Sequence, residues 1–285
     1  MNRNEDKLIN IILFVLSSVS IFVVLFLFFI IFNDGKVQLF SWFMNGFGTT
    51  YMSTSGKFGA LAVLFSTVYV SLGSILFSAP ISLFCAIFLA DYADLKTRNI
   101  IKPAIEVLMG IPSIVIGIFG AALITRSLEI SIQASYSVFA AWIILAIMTI
   151  PYITSISEDA IRAVPREYRE ASLALGATKW QTTTKIVIPN ARSGIIASII
   201  LAFGRVAGET MAVSLVIGNV LVTESLINLD PLIKSNVITS LIQNEFTDIA
   251  INSPEYYALY ALGALLLLMV ATLNLITKYI LRSKK

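Results

Sequence analysis

Long apolar runs alternate with short polar stretches along the chain, and the runs approach or exceed the roughly 20 residues that a membrane-spanning helix needs. The first run follows Lys7 without a small-residue cleavage site after it, which favours an uncleaved first helix over a signal peptide. No repeat or soluble domain interrupts the pattern, so we expect one transmembrane domain over residues 1–285. The predicted spans are residues 8–32, 59–90, 104–125, 136–157, 194–218 and 256–281.

Two prolines lie inside these runs and predict interrupted helices. Pro80 and Pro112 each remove a backbone donor, so we expect a kink at each. Pro112 follows Gly110 in "GIPSIVIGIFG", where Gly117 and Gly120 would allow a neighbouring helix to come close. Broken helices often line transport pathways, but a simple packing kink explains the same residues equally well.

Composition supports a membrane protein and narrows its chemistry. The mean hydropathy is +0.87, and 57% of the residues are hydrophobic. The chain has no His and one Cys, Cys85, which excludes imidazole or thiolate metal sites and disulfides within it. A membrane-embedded enzyme is therefore the least favoured class, because it would need a nucleophile, a base or a metal cluster.

The distribution of positive charge predicts the orientation. Fifteen Lys and Arg residues fall in one set of alternating loops and termini, against four in the other set. The positive-inside rule then places both termini and the loop over residues 158–193 in the cytoplasm. The four residues on the opposite side are Lys36, Lys57, Arg126 and Lys234.

The sequence of the cytoplasmic loop predicts two helices joined by a glycine. Pro165 suits a first helical turn, "PREYREASLAL" continues the helix, and Gly176 is placed as its stop. Thr178 is predicted to cap a second helix, which Pro189 is expected to end. The pair either rests on its own bundle or docks on a cytosolic partner, with Gly176 permitting the bend. Its predicted apolar face consists of Leu173, Leu175, Trp180, Ile186 and Ile188.

Glu106, Arg205 and Glu209 are charged residues that fall inside the predicted spans. Each is costly there, by at least about 2.5–3.5 kcal/mol for a central Arg or Asp. Arg205 is expected roughly 16 Å into the membrane, near its midplane. Glu209 is four residues further along, so we expect the two to pair on one helix face. Gly204 and Gly208 form a G-x-x-x-G pattern beside them.

These charges have structural and functional interpretations. A buried Arg205–Glu209 pair could fix the helix register, but we favour a gate or transient anion site, because guanidinium matches phosphate oxygens. Glu209 would then neutralise Arg205 at rest. Glu106 follows Pro103 in the first turn of the third span, where the helix dipole favours a carboxylate. For Glu106 a snorkelling surface role is favoured, and a place on the substrate pathway is the alternative.

The loop resembles the EAA loop of ABC-importer permeases, whose pattern is E-A-A, three residues, G, nine residues, then I-x-L-P. Here Glu170-Ala171-Ser172, Gly176 and Ile186-Val187-Ile188-Pro189 follow that spacing, with Ser and Ile in place of Ala and Leu. The resemblance implies a helix pair that inserts into an ATP-hydrolysing subunit. No phosphate-binding loop is present, so ATP and Mg²⁺ are expected on that partner and no cofactor in this chain. The implied coupling residues are Glu170, Ala171, Gly176, Trp180 and Pro189.

Two longer segments, "KPAIEVLMGIPSIVIGIFG" and "LAFGRVAGETMAVSLVIGN", resemble phosphate-importer permeases of the PstC type. The resemblance runs from roughly Phe58 to Asn219. It implies an all-α, six-helix type I importer permease in a prokaryotic plasma membrane, paired with a second, PstA-type permease subunit. The other implied partners are two ATPase subunits and an extracytoplasmic phosphate-binding protein. No nucleic-acid partner is implied. Arg205 and Glu209 match the family's intramembrane Arg and Glu, which implies that they are critical for transport.

We therefore expect a permease that takes up phosphate by alternating access, powered by another subunit. Arg205 cannot distinguish tetrahedral oxyanions, so sulfate or molybdate is the first alternative substrate. An ion-coupled secondary carrier is the second alternative function. Such carriers commonly show inverted repeats and midplane carboxylates, and no repeat is visible in the sequence.

Overall fold

A computed structural model of the chain describes residues 3–48, 51–52, 57–127, 136–220 and 229–282. The first helix, α1, covers Arg3–Asn45 and is longer than the predicted span. Its apolar side chains are exposed along most of their length, as expected for a surface in contact with lipid. A short antiparallel hairpin follows, made by β1 (Tyr51–Met52) and β2 (Lys57–Phe58).

The second helix, α2, covers Leu61–Ile87 and continues into a π-helical turn at Phe88–Tyr92. It packs most extensively on α5, Val138–Arg162, which begins after Ser137. The Ser137 hydroxyl accepts a hydrogen bond from the Ala140 amide at 3.2 Å, which caps the helix. These two helices form the centre of the bundle.

The third predicted span is two helices joined by a sharp bend. Helix α3 covers Leu95–Met109 and α4 covers Ser113–Ser127, and their axes differ by 94°. Gly110 ends α3, and Pro112 precedes α4. Proline disfavours helical backbone in the residue before it, which explains why the break falls here.

The loop helices are α6 (Arg166–Ala174) and α7 (Lys179–Thr182). A π-helical turn at Thr183–Val187 joins α7 directly to α8, Ile188–Ala207, so that one helical rod of 29 residues runs from Lys179 to Ala207. The prediction that Pro189 ends the second helix is therefore wrong. The Ile188 amide donates to the Thr183 carbonyl in the wider π turn, which gives the proline ring room that a regular α turn lacks.

The fifth predicted span, 194–218, is not one continuous helix. Helix α8 ends at Ala207, residues 208–210 are non-helical, and a single turn, α9, covers Met211–Ser214. The chain then pairs Gly218 with Ser235 in an isolated parallel bridge. Two further helices follow, α10 (Ile238–Glu245) and α11 (Pro254–Arg282).

Over the described ranges, five helices are long and apolar enough to span a membrane, or six when the bent pair counts as one. The predicted all-α, six-span membrane fold is thus confirmed. Three apolar clusters hold it together. The central one joins α2, α5, α8 and α9 through residues such as Ile144 and Val213, and another joins the ends of α2, α5 and α8 beneath the loop helices. The orientation of the termini stays a prediction.

Candidate functional site

The loop helices form a hairpin that turns at Gly176. This glycine has φ +83°, in the left-handed region that side chains with a Cβ rarely adopt, and no atom lies within 4 Å of where a Cβ would be. The second arm is capped reciprocally. The Thr178 hydroxyl accepts from the Gln181 amide at 3.2 Å, and the Gln181 side chain accepts from the Thr178 amide at 2.9 Å. The turn is therefore well defined by its own sequence.

Apolar side chains at the end of this hairpin are exposed. Leu175 is 90% exposed and Trp180 52%, and Leu173 is similarly open. We call these three residues the hairpin tip. The other two residues of the predicted apolar face, Ile186 and Ile188, lie near the bundle and are partly covered. In this chain the hairpin tip is not buried against its own bundle, so its apolar surface is free for another molecule.

The base of the hairpin, in contrast, is fixed to the bundle. Asp91, whose side chain is 2% exposed, forms an ion pair with Arg169 and accepts a hydrogen bond from the Thr183 hydroxyl at 2.7 Å. Arg169 also donates to the Ile161 carbonyl at 2.8 Å. Asp91 and Thr183 lie in the two π-helical turns, so these turns are tied to one another. Asp91 could not be predicted from the sequence, because it follows an apolar run without any local motif.

A second buried carboxylate, Glu158, joins α3 to α5. Its side chain is 1% exposed, and its oxygens lie 3.0 Å from Arg98 Nε, 2.5 Å from Lys102 Nζ and 3.6 Å from Arg162 Nε. Sequence reasoning missed it because it falls one residue beyond the predicted span 136–157. The four-residue spacings of Arg98 with Lys102 and of Glu158 with Arg162 were the available signal.

Arg205 lies two residues before the end of α8, and its guanidinium carbon is 5.4 Å from the centre of the Tyr152 ring on α5. The residue is exposed. The expected pair with Glu209 does not form, and within the described chain Arg205 makes no ion pair. Because α8 ends at Ala207, a spacing of four residues no longer places both side chains on one face.

Glu209 instead stabilises the break in the fifth span. Its Oε1 accepts a hydrogen bond from the Ala212 amide at 3.2 Å, and its carbonyl accepts one from the Thr239 hydroxyl at 2.8 Å. These bonds satisfy backbone groups that the interrupted helix leaves open. Of the G-x-x-x-G pair, Gly204 faces Val270 of α11, whereas Gly208 meets only its own helix and ends it.

The two interrupted spans meet each other. A Cβ on Gly117 of α4 would lie 2.9 Å from Ala212 Cα and 3.0 Å from Leu215 Cδ1, just after the break at residues 208–210. Irregular backbone at membrane depth is tolerated where it is buried in protein or lines a water-filled cavity. The contact between α4 and α9 therefore covers part of this irregular backbone with protein.

Glu106 is placed differently from the prediction. It lies in the last turn of α3, not in a first turn, because α3 begins nine residues before the predicted span. It is exposed and makes no ion pair or hydrogen bond with the residues that the structure describes. The favourable dipole at a helix start therefore does not apply to it.

Comparison with known proteins identifies the family of the chain. A family model described as "Binding-protein-dependent transport system inner membrane component" matches residues 80–285. The phosphate transport system permease protein PstC of Mesorhizobium japonicum is 33% identical over 265 residues, covering 84% of this chain and 80% of that protein. The probable ABC transporter permease protein YqgH of Bacillus subtilis is 33% identical over 231 residues, covering 80% and 74%.

A solved bacterial alginate ABC transporter, in complex with an alginate pentasaccharide-bound periplasmic protein, has a chain with the same fold. The TM-score is 0.61 at 15% identity, with 95% of this chain and 94% of that chain covered. The matched fold, the several apolar spans and a family model covering residues 80–285 lead to one conclusion. The chain belongs to the binding-protein-dependent transport system inner membrane components, as a multi-pass permease subunit of an ABC importer.

Proposed function

We propose that this chain is the permease subunit of an ATP-driven importer that brings inorganic phosphate into a prokaryotic cell by alternating access. The observation that carries the proposal is Arg205, a cation beside the break in the fifth span and without a carboxylate partner in the described chain. Similarity to PstC proteins supports phosphate as the anion.

Arg205 suits a transient phosphate site. Guanidinium offers a planar fork of donors that matches phosphate oxygens, and Tyr152 holds it by a cation–π contact that an arriving anion need not displace. A carboxylate partner would compete with the substrate. In this proposal Glu209 therefore holds the break open for Arg205 and does not neutralise it.

The direction of transport requires external power. Moving a phosphate of charge near −2 into a cell that is negative inside costs about 4–5 kcal/mol per 100 mV, before any concentration gradient. The exposed hairpin tip is the surface through which we propose that an ATPase subunit, carrying ATP and Mg²⁺, drives this chain. Its apolar side chains fit a groove of such a partner.

We propose further partners on the same grounds. A second, PstA-type permease would complete the pathway, two ATPase subunits would dock beneath, and an extracytoplasmic phosphate-binding protein would deliver the anion. The similar alginate transporter, solved with its periplasmic protein, supports this kind of assembly.

The test is uptake of ³²P-phosphate by the complex that co-purifies with this chain, reconstituted in liposomes with its binding protein. We expect uptake only when ATP is present on the side of the liposome membrane that carries the ATPase subunits. A tenfold excess of sulfate or molybdate should reduce phosphate uptake only slightly. Uptake driven by a proton or sodium gradient without ATP would show a secondary carrier. ATP-driven uptake of sulfate or molybdate in place of phosphate would identify the alternative substrate.

A further inference from the structure

A cleft of about 340 Å³ opens beside the base of the hairpin, on the side that the charge pattern assigns to the cytoplasm. It lies between the end of α2, the start of α3, the end of α5 and the two hairpin arms. Its charged lining residues in the described chain are Asp91, Arg162, Arg166, Arg169 and Lys179. We call this the basic cleft. Four cations face a single carboxylate.

That carboxylate is already engaged. Asp91 pairs with Arg169 and accepts from Thr183, so it has little capacity left for the other cations. Arg166 makes no ion pair with any described residue, and Lys179 lies over the Tyr92 ring, with Nζ 4.6 Å from its centre. The basic cleft therefore holds positive charge that its own walls do not neutralise.

Arg162 adds to this excess. Its Nε is 3.6 Å from Glu158, but that carboxylate is held more closely by Arg98 and Lys102, at 3.0 and 2.5 Å. The Arg162 side chain is 40% exposed and lines the basic cleft. Arginine and lysine together at one concave site are typical of phosphate recognition.

The surroundings make a lipid headgroup one source of the phosphate. Part of the wall is formed by the ends of the membrane spans α2 and α5, and the ends of spans lie at the level of the lipid headgroups. Leu95, 73% exposed, and Leu173, 48% exposed, line the same cleft and offer apolar surface beside the charges. Basic pockets between spans on the cytoplasmic side bind anionic headgroups, because the negative inner leaflet meets them there.

We propose that the basic cleft binds a phosphate group, supplied either by an anionic phospholipid of the inner leaflet or by free inorganic phosphate. Because its walls come from both the bundle and the hairpin, the bound anion links the hairpin base to α2 and α5. The site is separate from Arg205, so its existence does not depend on which ion is transported.

The experiment counts lipids that stay bound. The full chain, with the subunits that co-purify with it, is equilibrated with equal dioleoylphosphatidylglycerol and dioleoylphosphatidylcholine, and retained lipid is measured by native mass spectrometry. The test variant is Arg166→Gln with Lys179→Gln, both exposed residues. We expect phosphatidylglycerol affinity to fall about thirty-fold, at roughly five-fold per cation. Lys185→Gln, an exposed lysine of the same rod outside the cleft, is the matched control.

Inorganic phosphate is then added as a competitor. If millimolar phosphate displaces phosphatidylglycerol from the wild-type protein but not from the double variant, free phosphate also uses the site; if it does not, the lipid is the ligand. Should the double variant fail to assemble, Arg166→Gln alone is expected to weaken retention about five-fold. Equal retention by wild type and variant would overturn the proposal. So would a complex that retains neither ligand because a partner subunit covers the cleft.

Discussion

Arg205 is the residue on which transport is proposed to depend, and its setting is unusual for an intramembrane charge. Such residues normally pair with a carboxylate, yet the described contact of Arg205 is the Tyr152 ring. A cation–π contact is worth about 0.5–2 kcal/mol, less than the roughly 3–5 kcal/mol that removing one partner of a buried charge pair costs. The positive charge thus remains available to an anion.

We predict that Tyr152→Leu lowers phosphate uptake about 2- to 30-fold, because it removes the ring that orients the guanidinium of Arg205. Tyr152→Phe keeps the ring and should retain most uptake. Initial rates in reconstituted liposomes measure both. A Phe variant as defective as the Leu variant would assign the role to the phenol hydroxyl, contrary to the cation–π account.

The sequence places Arg205 inside an apolar run, and the helix Ile188–Ala207 does contain it, but its contacts could not be predicted. Its depth in the membrane stays a prediction. The pairing with Glu209 assumed an uninterrupted helix, and the helix stops at Ala207 because Gly208 and the Glu209 cap favour a break there. Whether a membrane helix ends at a glycine depends on what packs around the break. Here Gly117 of the bent span lies against Ala212, just after the break.

Among the elements, the rod from Lys179 to Ala207 joins the hairpin to the intramembrane arginine. At about 1.5 Å per residue it is about 43 Å long. The hairpin turns at Gly176, just before the rod begins, and Arg205 lies near the opposite end of the rod. A displacement of the hairpin tip would therefore reach the break in the fifth span through one continuous helix.

We predict that Gly176→Val uncouples ATP hydrolysis from uptake or prevents assembly, because a β-branched residue is strained by about 1–2 kcal/mol or more at positive φ. Gly176→Asn is the control, since asparagine tolerates this backbone and the space for a Cβ is open. Phosphate transported per ATP hydrolysed is the measurement. Normal coupling in the Val variant would contradict a role of the turn in transmission.

The hairpin's turn and cap have clear local signals, and the structure has them where the sequence analysis places them: Gly176 at positive φ and Thr178 in a capping box. The π-helical turns at Phe88–Tyr92 and Thr183–Val187 have no such signal. They are stabilised by Asp91, which bonds to Arg169 and Thr183 far away along the chain. Contacts between residues so far apart in the sequence cannot be predicted from the local pattern of residue types.

For the whole molecule, hydropathy is enough to predict a six-span helical protein, because the bilayer requires long apolar helices. It does not predict that two spans are interrupted, one by a 94° bend and one by the break after Ala207, nor that they pack together. Those features depend on neighbouring helices that satisfy the freed backbone groups.

We propose that phosphate, in ATP-driven transport, passes a site formed by Arg205. The most direct measurement is ³²P-phosphate uptake together with ATP hydrolysis in liposomes containing the complex with Arg205→Ala. We expect uptake to fall to background while the subunits still co-purify and ATP hydrolysis continues, and Arg205→Lys to restore uptake only in part because the planar fork is lost. Undiminished uptake by a correctly assembled Arg205→Ala complex would contradict the account.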